Sequence, residues 1–187
     1  MDFSKDPNTP NPYFASGVAT SVASQFNGSP SGSGPCISEP EDGTLFPCNW
    51  QRPRISWSGS GLVQITIHAD LEVNDMVVYT NQSSWTMSKT IWDGLSAHVR
   101  DQDIKVTVRA ASGGASSVNF RIAPASAGGR IVFWSAVPTE VGKDPSQAKD
   151  TDDYLSGYTL GDDSTVVVLK TSQVQQPSMA QDAHNPR

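Results

Sequence analysis

Apolar and polar side chains alternate through the middle of this chain. In Val63–Ala69, the residues Val63, Ile65, Ile67 and Ala69 fall on one side and Gln64, Thr66 and His68 on the other, the period of two that a half-buried strand requires. Ile104–Ala110 repeats the pattern, with Ile104, Val106, Val108 and Ala110 set against Lys105, Thr107 and Arg109, and Val118, Phe120 and Ile122 continue it. Shorter runs at Arg54–Trp57, Met76–Thr80 and Arg130–Trp134 are predicted strands too, punctuated by the turn-forming stretches SGSG, VND, SGG and SAGG. A different spacing appears once: Ile91, Trp92, Leu95 and Val99 follow Ser88 as the buried side of a short helix, which Gly94 weakens. Thr165–Lys170 is a further predicted strand, with a partner at Tyr158–Leu160. Short strands at this spacing with one helical crossing predict an all-β protein, a β-sandwich of roughly 100 residues.

Composition narrows where a core can lie. Of the 38 Leu, Ile, Val and Phe residues in the 187-residue chain, 31 fall between Leu45 and Leu169. The Ser-, Pro- and Gly-rich stretch 1–35 and the tail 171–187 therefore read as flexible arms, because such sequences do not offset the entropy of ordering. Between them the expected organisation is a sandwich over 36–135, then an acidic loop and additional strands over 136–170 that pack back on it.

The net charge of −6 and the lack of any Lys/Arg run argue against nucleic acid or an anionic membrane as partner, and no apolar stretch reaches the length of a membrane span. The opening MDFSKDPNTP lacks the basic-then-apolar order of an export signal, so an extracellular or cell-surface location is expected only after removal of a signal not present in this chain. Seven acidic residues lie between Thr139 and Ser164 against Lys143 and Lys149. Among them Asp150, Asp152 and Asp153 are candidate calcium ligands, the alternative being a solvated acidic loop; the spacing is not that of an EF-hand. No other cofactor is expected.

Cys36 and Cys48 are the only cysteines and flank the turn Glu39-Pro40-Glu41-Asp42-Gly43. With His68, His98 and His184 scattered, a closed zinc site is not expected, and Cys-x-x-Cys redox spacing is absent. A disulfide in an exported protein is the favoured reading, set against two reduced structural cysteines in a cytosolic one. No Gly-x-Ser-x-Gly elbow accompanies the histidines, so a non-catalytic protein is expected. Five tryptophans are many for this length; Trp57 fits a buried inter-sheet position, Trp134 ends an apolar run, and Trp85 with nearby Tyr79 could stack on a sugar ring.

The ordered set PEDGTLFPCNW, ISW, WTMSKTIWDGLSAH, IKVTVRA and FRIAPASAGGRIVFWS resembles an immunoglobulin/fibronectin-III-like domain of cell-surface proteins from myxobacteria and related bacteria. The shared features are Asp42-Gly43-Thr44-x-Phe46-Pro47, a Trp closing the next strand, a Trp-bearing short helix and an exit strand over Gly129–Ser135. The resemblance implies a sandwich attached N-terminally to a larger, often propeller-type, extracellular domain, and it implies no catalytic residue. Against that pattern the chain stops at Arg187, leaving open a piece of a larger protein or a sandwich used alone. The expected function is contact with other protein, copies of itself included, through exposed edges and arms, with Val166, Val167, Val168 and Leu169 as the pairing segment. The alternatives are a carbohydrate-binding module reading sugar with Trp85 and Tyr79, or an accessory domain of a larger secreted protein.

Overall fold

A computed structural model of the chain describes residues 1–5, 10–111, 113–135, 154–162, 164–170 and 173. These residues form an all-β protein in two units, Met1–Ala127 and Gly128–Arg187. In the first, six strands make one mixed sheet: β1 (Tyr13–Phe14), β3 (Thr44–Pro47), β5 (Val63–His68), β6 (Met76–Thr80), β8 (Ile104–Ala110) and β9 (Ala115–Ala123), in the order β1-β6-β5-β8-β9-β3. A second, antiparallel sheet holds β2 (Ile37–Glu39), β4 (Arg54–Trp57) and β7 (Ser84–Thr86), in the order β2-β4-β7.

The alternating strands point their apolar rows into one interior. Val63, Ile65 and Ile67 from β5, Met76 and Val78 from β6, Ile104, Val106 and Val108 from β8, and Phe120 and Ile122 from β9 are buried together with Ile55 and Trp57 from β4. Helix α1 (Lys89–His98) adds Ile91, Trp92 and Leu95, and Val99 follows at its C-cap. Ser88 begins the helix by accepting a hydrogen bond from the Ile91 amide at 3.3 Å, which satisfies one of the donors a first turn leaves free. The indole N–H of Trp92 donates to the Trp50 carbonyl at 2.8 Å, so the one polar atom that this ring brings inward is paired.

The N-terminal stretch is not the flexible arm its composition suggested. Phe3 lies in the core cluster, with its amide donating to Asn74 Oδ1 at 2.9 Å, and the Met1 amino group pairs with the buried Glu72. Asn11 then fastens the chain beside β6: its amide group donates to the Asp75 carbonyl at 2.8 Å and its Oδ1 accepts from the Val77 amide at 2.9 Å. Next, β1 pairs parallel with β6, and the turn at Thr20–Phe26 lays Phe26 against Tyr79, on which Phe14 also stacks. Tyr79, Gln64 and Arg109 stand side by side across β6, β5 and β8. Arg109 reaches from that row to the carbonyls of Phe26 at 2.7 Å and Gly28 at 2.5 Å. Where 32–34 runs beside 114–116, a Cβ on Gly34 or Gly114 would strike the opposite main chain, so this close approach needs glycine on both sides.

The span 36–135 expected to form a sandwich is divided between the two units. The predicted exit strand, β10 (Arg130–Ser135), pairs with β11 (Tyr154–Thr159), which pairs with β12 (Val166–Lys170), in an antiparallel three-stranded sheet of the second unit. Hence β10 pairs with the strands expected to follow the sandwich, and the first unit closes at Ala127. Apart from Gln173, the tail 171–187 lies outside the described residues.

Candidate interaction surface

The three-stranded sheet of the second unit carries apolar side chains where water reaches them. Ile131, Val132, Phe133 and Trp134 on β10, and Val166, Val167, Val168 and Leu169 on β12, are all exposed, Trp134 at 53% and Val166 at 60%. Register and the period of two divide them between two faces. Val132 opposite Gly157, Trp134 opposite Leu155 and Val166 opposite Gly157 define a front, whereas Ile131 opposite Tyr158, Phe133 opposite Ser156 and Val167 opposite Ser156 define a back. The pairing of β11 with β12 shifts by one residue between Leu155 and Ser156, a bulge that brings Leu169 opposite Leu155 and so adds it to the front.

Gly157 makes a notch in the front. A Cβ there would lie 3.2 Å from Val168 Cγ2, 3.3 Å from Val132 Cγ2 and 2.9 Å from the Ile131 carbonyl oxygen. The space left open, about 300 Å³, is lined by Val132, Val166 and Val168 together with Arg130, Thr159 and Asp162. Among the described residues β10 and β12 have one neighbouring strand each, so the sheet also presents main-chain donors and acceptors along both outer edges. Val166–Leu169, the pairing segment expected from sequence, thus occupies an edge; Ile131–Trp134, read as a sandwich strand, lines the same surface.

The other sequence candidates are placed as follows. The disulfide is a correction: both Cys36 and Cys48 are free thiols. The turn between them sends its flanks to different sheets, β2 to β4 and β3 to β9. Cys36 is held by the Ser58 hydroxyl, which accepts from its amide at 3.1 Å, while the Cys48 sulfur lies 3.3 Å from the Ser126 hydroxyl. Tyr79 is also unfit for stacking on a sugar. It is 5% exposed beneath Phe14 and Phe26, and its hydroxyl accepts from the Gln64 amide group at 2.9 Å. Trp85 is half-buried on β7, in the other sheet, and packs against the core. Asp150, Asp152 and Asp153 lie outside the described residues, among which no cluster of metal-binding side chains occurs.

Two clefts of the first unit hold paired charges. One, of about 430 Å³, is lined by Phe46, Trp50, Pro53, Glu39, Arg52 and Arg54. Glu39 there accepts from Arg54 Nε at 2.6 Å and Nη2 at 2.9 Å and from the Ser56 hydroxyl at 3.0 Å; Arg54 first, then Ser56, holds its carboxyl below the usual carboxylate range. The other contains Asp42, which accepts from the Asn119 amide at 2.8 Å, and Asp103, whose pKa is lowered by its 2.5 Å bond from Arg121. These carboxylates serve the fold by joining neighbouring strands and turns.

Compared with protein-family models, curated proteins and solved structures, the chain matches none. The surface of the second unit must therefore be read from its own chemistry.

Proposed function

We propose that this chain is a non-catalytic, immunoglobulin/fibronectin-III-like module, secreted or displayed at a cell surface, that works by contact with protein and chiefly with copies of itself. The observation that carries the reading is the exposed apolar sheet. Soluble monomers rarely leave large contiguous apolar patches in water, and where such patches persist they mark association sites. Open edges at β10 and β12 add main-chain hydrogen bonding as a second source of affinity. The sandwich type and the extracellular location rest on the resemblance of Cys36–Ser135 alone, since two free thiols lend no support to an oxidising compartment. Sedimentation of the full chain over a hundredfold range of concentration tests the proposal: the expected result is reversible association, and a chain that stays monomeric throughout overturns it.

A further inference from the structure

Resting on that reading, the two-sidedness of the sheet adds a constraint on geometry. Pairing β12 with a neighbour's β12 edge to edge would satisfy main-chain groups, yet it would leave both faces of the widened sheet in water. The side chains call for another layer. A sheet apolar on both faces is stable where both are covered, and β-sheets stack about 10 Å apart with interlocking side chains.

The chain's own remaining segments are poorly suited to supply those layers. Residues 136–153 and 174–187 contribute only Val137, Val141, Val174 and Met179 as large apolar side chains, with no aromatic residue. They carry Glu140, Asp144, Asp150, Asp152 and Asp153 besides. A second copy, by contrast, presents surfaces of matching character. If two copies met front to front about a two-fold axis, both backs, with Ile131, Phe133 and Val167, would stay exposed. Back-to-back contact would leave both fronts, with Trp134, Val132 and Val168. Front-on-back stacking covers both faces of every internal copy with a single kind of contact, whereas alternating front-to-front and back-to-back contacts would need two. The front-on-back contact is heterologous, so it closes into a ring or grows as a filament and does not stop at a dimer.

The relief of the two faces fits this arrangement. The front is hollowed at Gly157 between Val132 and Val168, and the back bears Phe133, 41% exposed, on the middle of β10. We infer that the second unit self-associates by front-on-back stacking of its three-stranded sheet, with Phe133 of one copy seated in the valine-walled notch over Gly157 of the next.

The test uses the full chain with one face spoiled at a time, Phe133→Asp for the back and Val168→Asp for the front. Burying an unpaired carboxylate is costly, so each variant alone should associate at least roughly tenfold more weakly than the parent. Mixed together, the variants should form a one-to-one complex, because each retains the face that the other needs. Sedimentation velocity and native mass spectrometry would read both results. A Phe133→Asp chain that still dimerises by itself would point to front-to-front contact, and variants that both associate like the parent would point to the edge; either overturns stacking while leaving the assembly reading intact. A monomeric parent removes both. Phe133→Lys and Val168→Lys repeat the experiment with the opposite charge, so that misfolding of one aspartate variant does not decide the outcome.

Discussion

At the exposed end of β5, His68 stands between two carboxylates, its Nδ1 2.7 Å from Asp75 and its Nε2 3.1 Å from Asp70. Asp75 first and Asp70 second raise its pKa above the ordinary 6.5, because both favour the imidazolium. A raised folded-state pKa means that the stabilisation is fully present below pH 6.5 and disappears as the pH climbs through the raised value. His68 is 52% exposed, so its two pairs are screened, and surface pairs of this kind contribute about 0–1 kcal/mol. The measurement is an NMR titration: His68 should titrate above 6.5, and Asp75→Asn should lower that value more than Asp70→Asn. Equal effects of the two substitutions would contradict the geometry. This was not legible from sequence, where His68 was simply one polar member of an alternating row. Nothing in that row shows that the turn after β5 brings Asp75 back to it.

Among the elements, the strands with strict alternation were legible, and so was the helix opened by Ser88. Each carries its own periodic signal over five or more residues. The short strands β1, β2, β3 and β7 carry none; β3 even ends in Pro47, and it pairs with β9 after a turn whose Gly43 amide donates to the Asn119 carbonyl at 2.7 Å. The segments over Ile131–Trp134 and Val166–Leu169 held a usable clue, for both are apolar without interruption. An unbroken apolar run points to a strand meant to be covered on both sides, which separates it from the one-sided strands around it. The order of the N-terminal arm was not legible because its aromatic residues Phe3, Tyr13, Phe14 and Phe26 are scattered through a Ser-, Pro- and Asn-rich stretch, whereas their partners lie far along the sequence. Arg109→Ala should therefore free the arm locally, since it removes two charge-assisted hydrogen bonds and the guanidinium 5.6 Å from the Phe26 ring centroid. The expected cost is about 2 kcal/mol. Hydrogen exchange should quicken at Val22 and Asn27, whose amides donate to Ala19 and Ser24, and unchanged protection there would show that Arg109 is not the clasp.

For the molecule as a whole, the division into two units makes a separable prediction. Every residue of the main buried cluster, from Phe3 to Ile122, lies in Met1–Ala127, and so do the sheets and the helix that enclose it. That segment should fold alone, with one cooperative thermal transition and dispersed amide resonances. It should also bind less apolar dye than the full chain, because the exposed residues of β10 and β12 are absent from it. A fragment without cooperative unfolding would show that the second unit is needed for the first to form.

The route of the N-terminal arm also bears on how the chain is made. Asn74, which anchors Phe3, follows it by 71 positions, and Arg109 follows Phe26 by 83. Since a ribosome releases the chain from its N-terminal end, at about 5–20 residues per second, the residues born first must wait several seconds before their binding partners exist. Polar surroundings that looked like a mark of permanent disorder would serve during that interval, keeping the arm's aromatic rings in solution until the strands they close over have emerged.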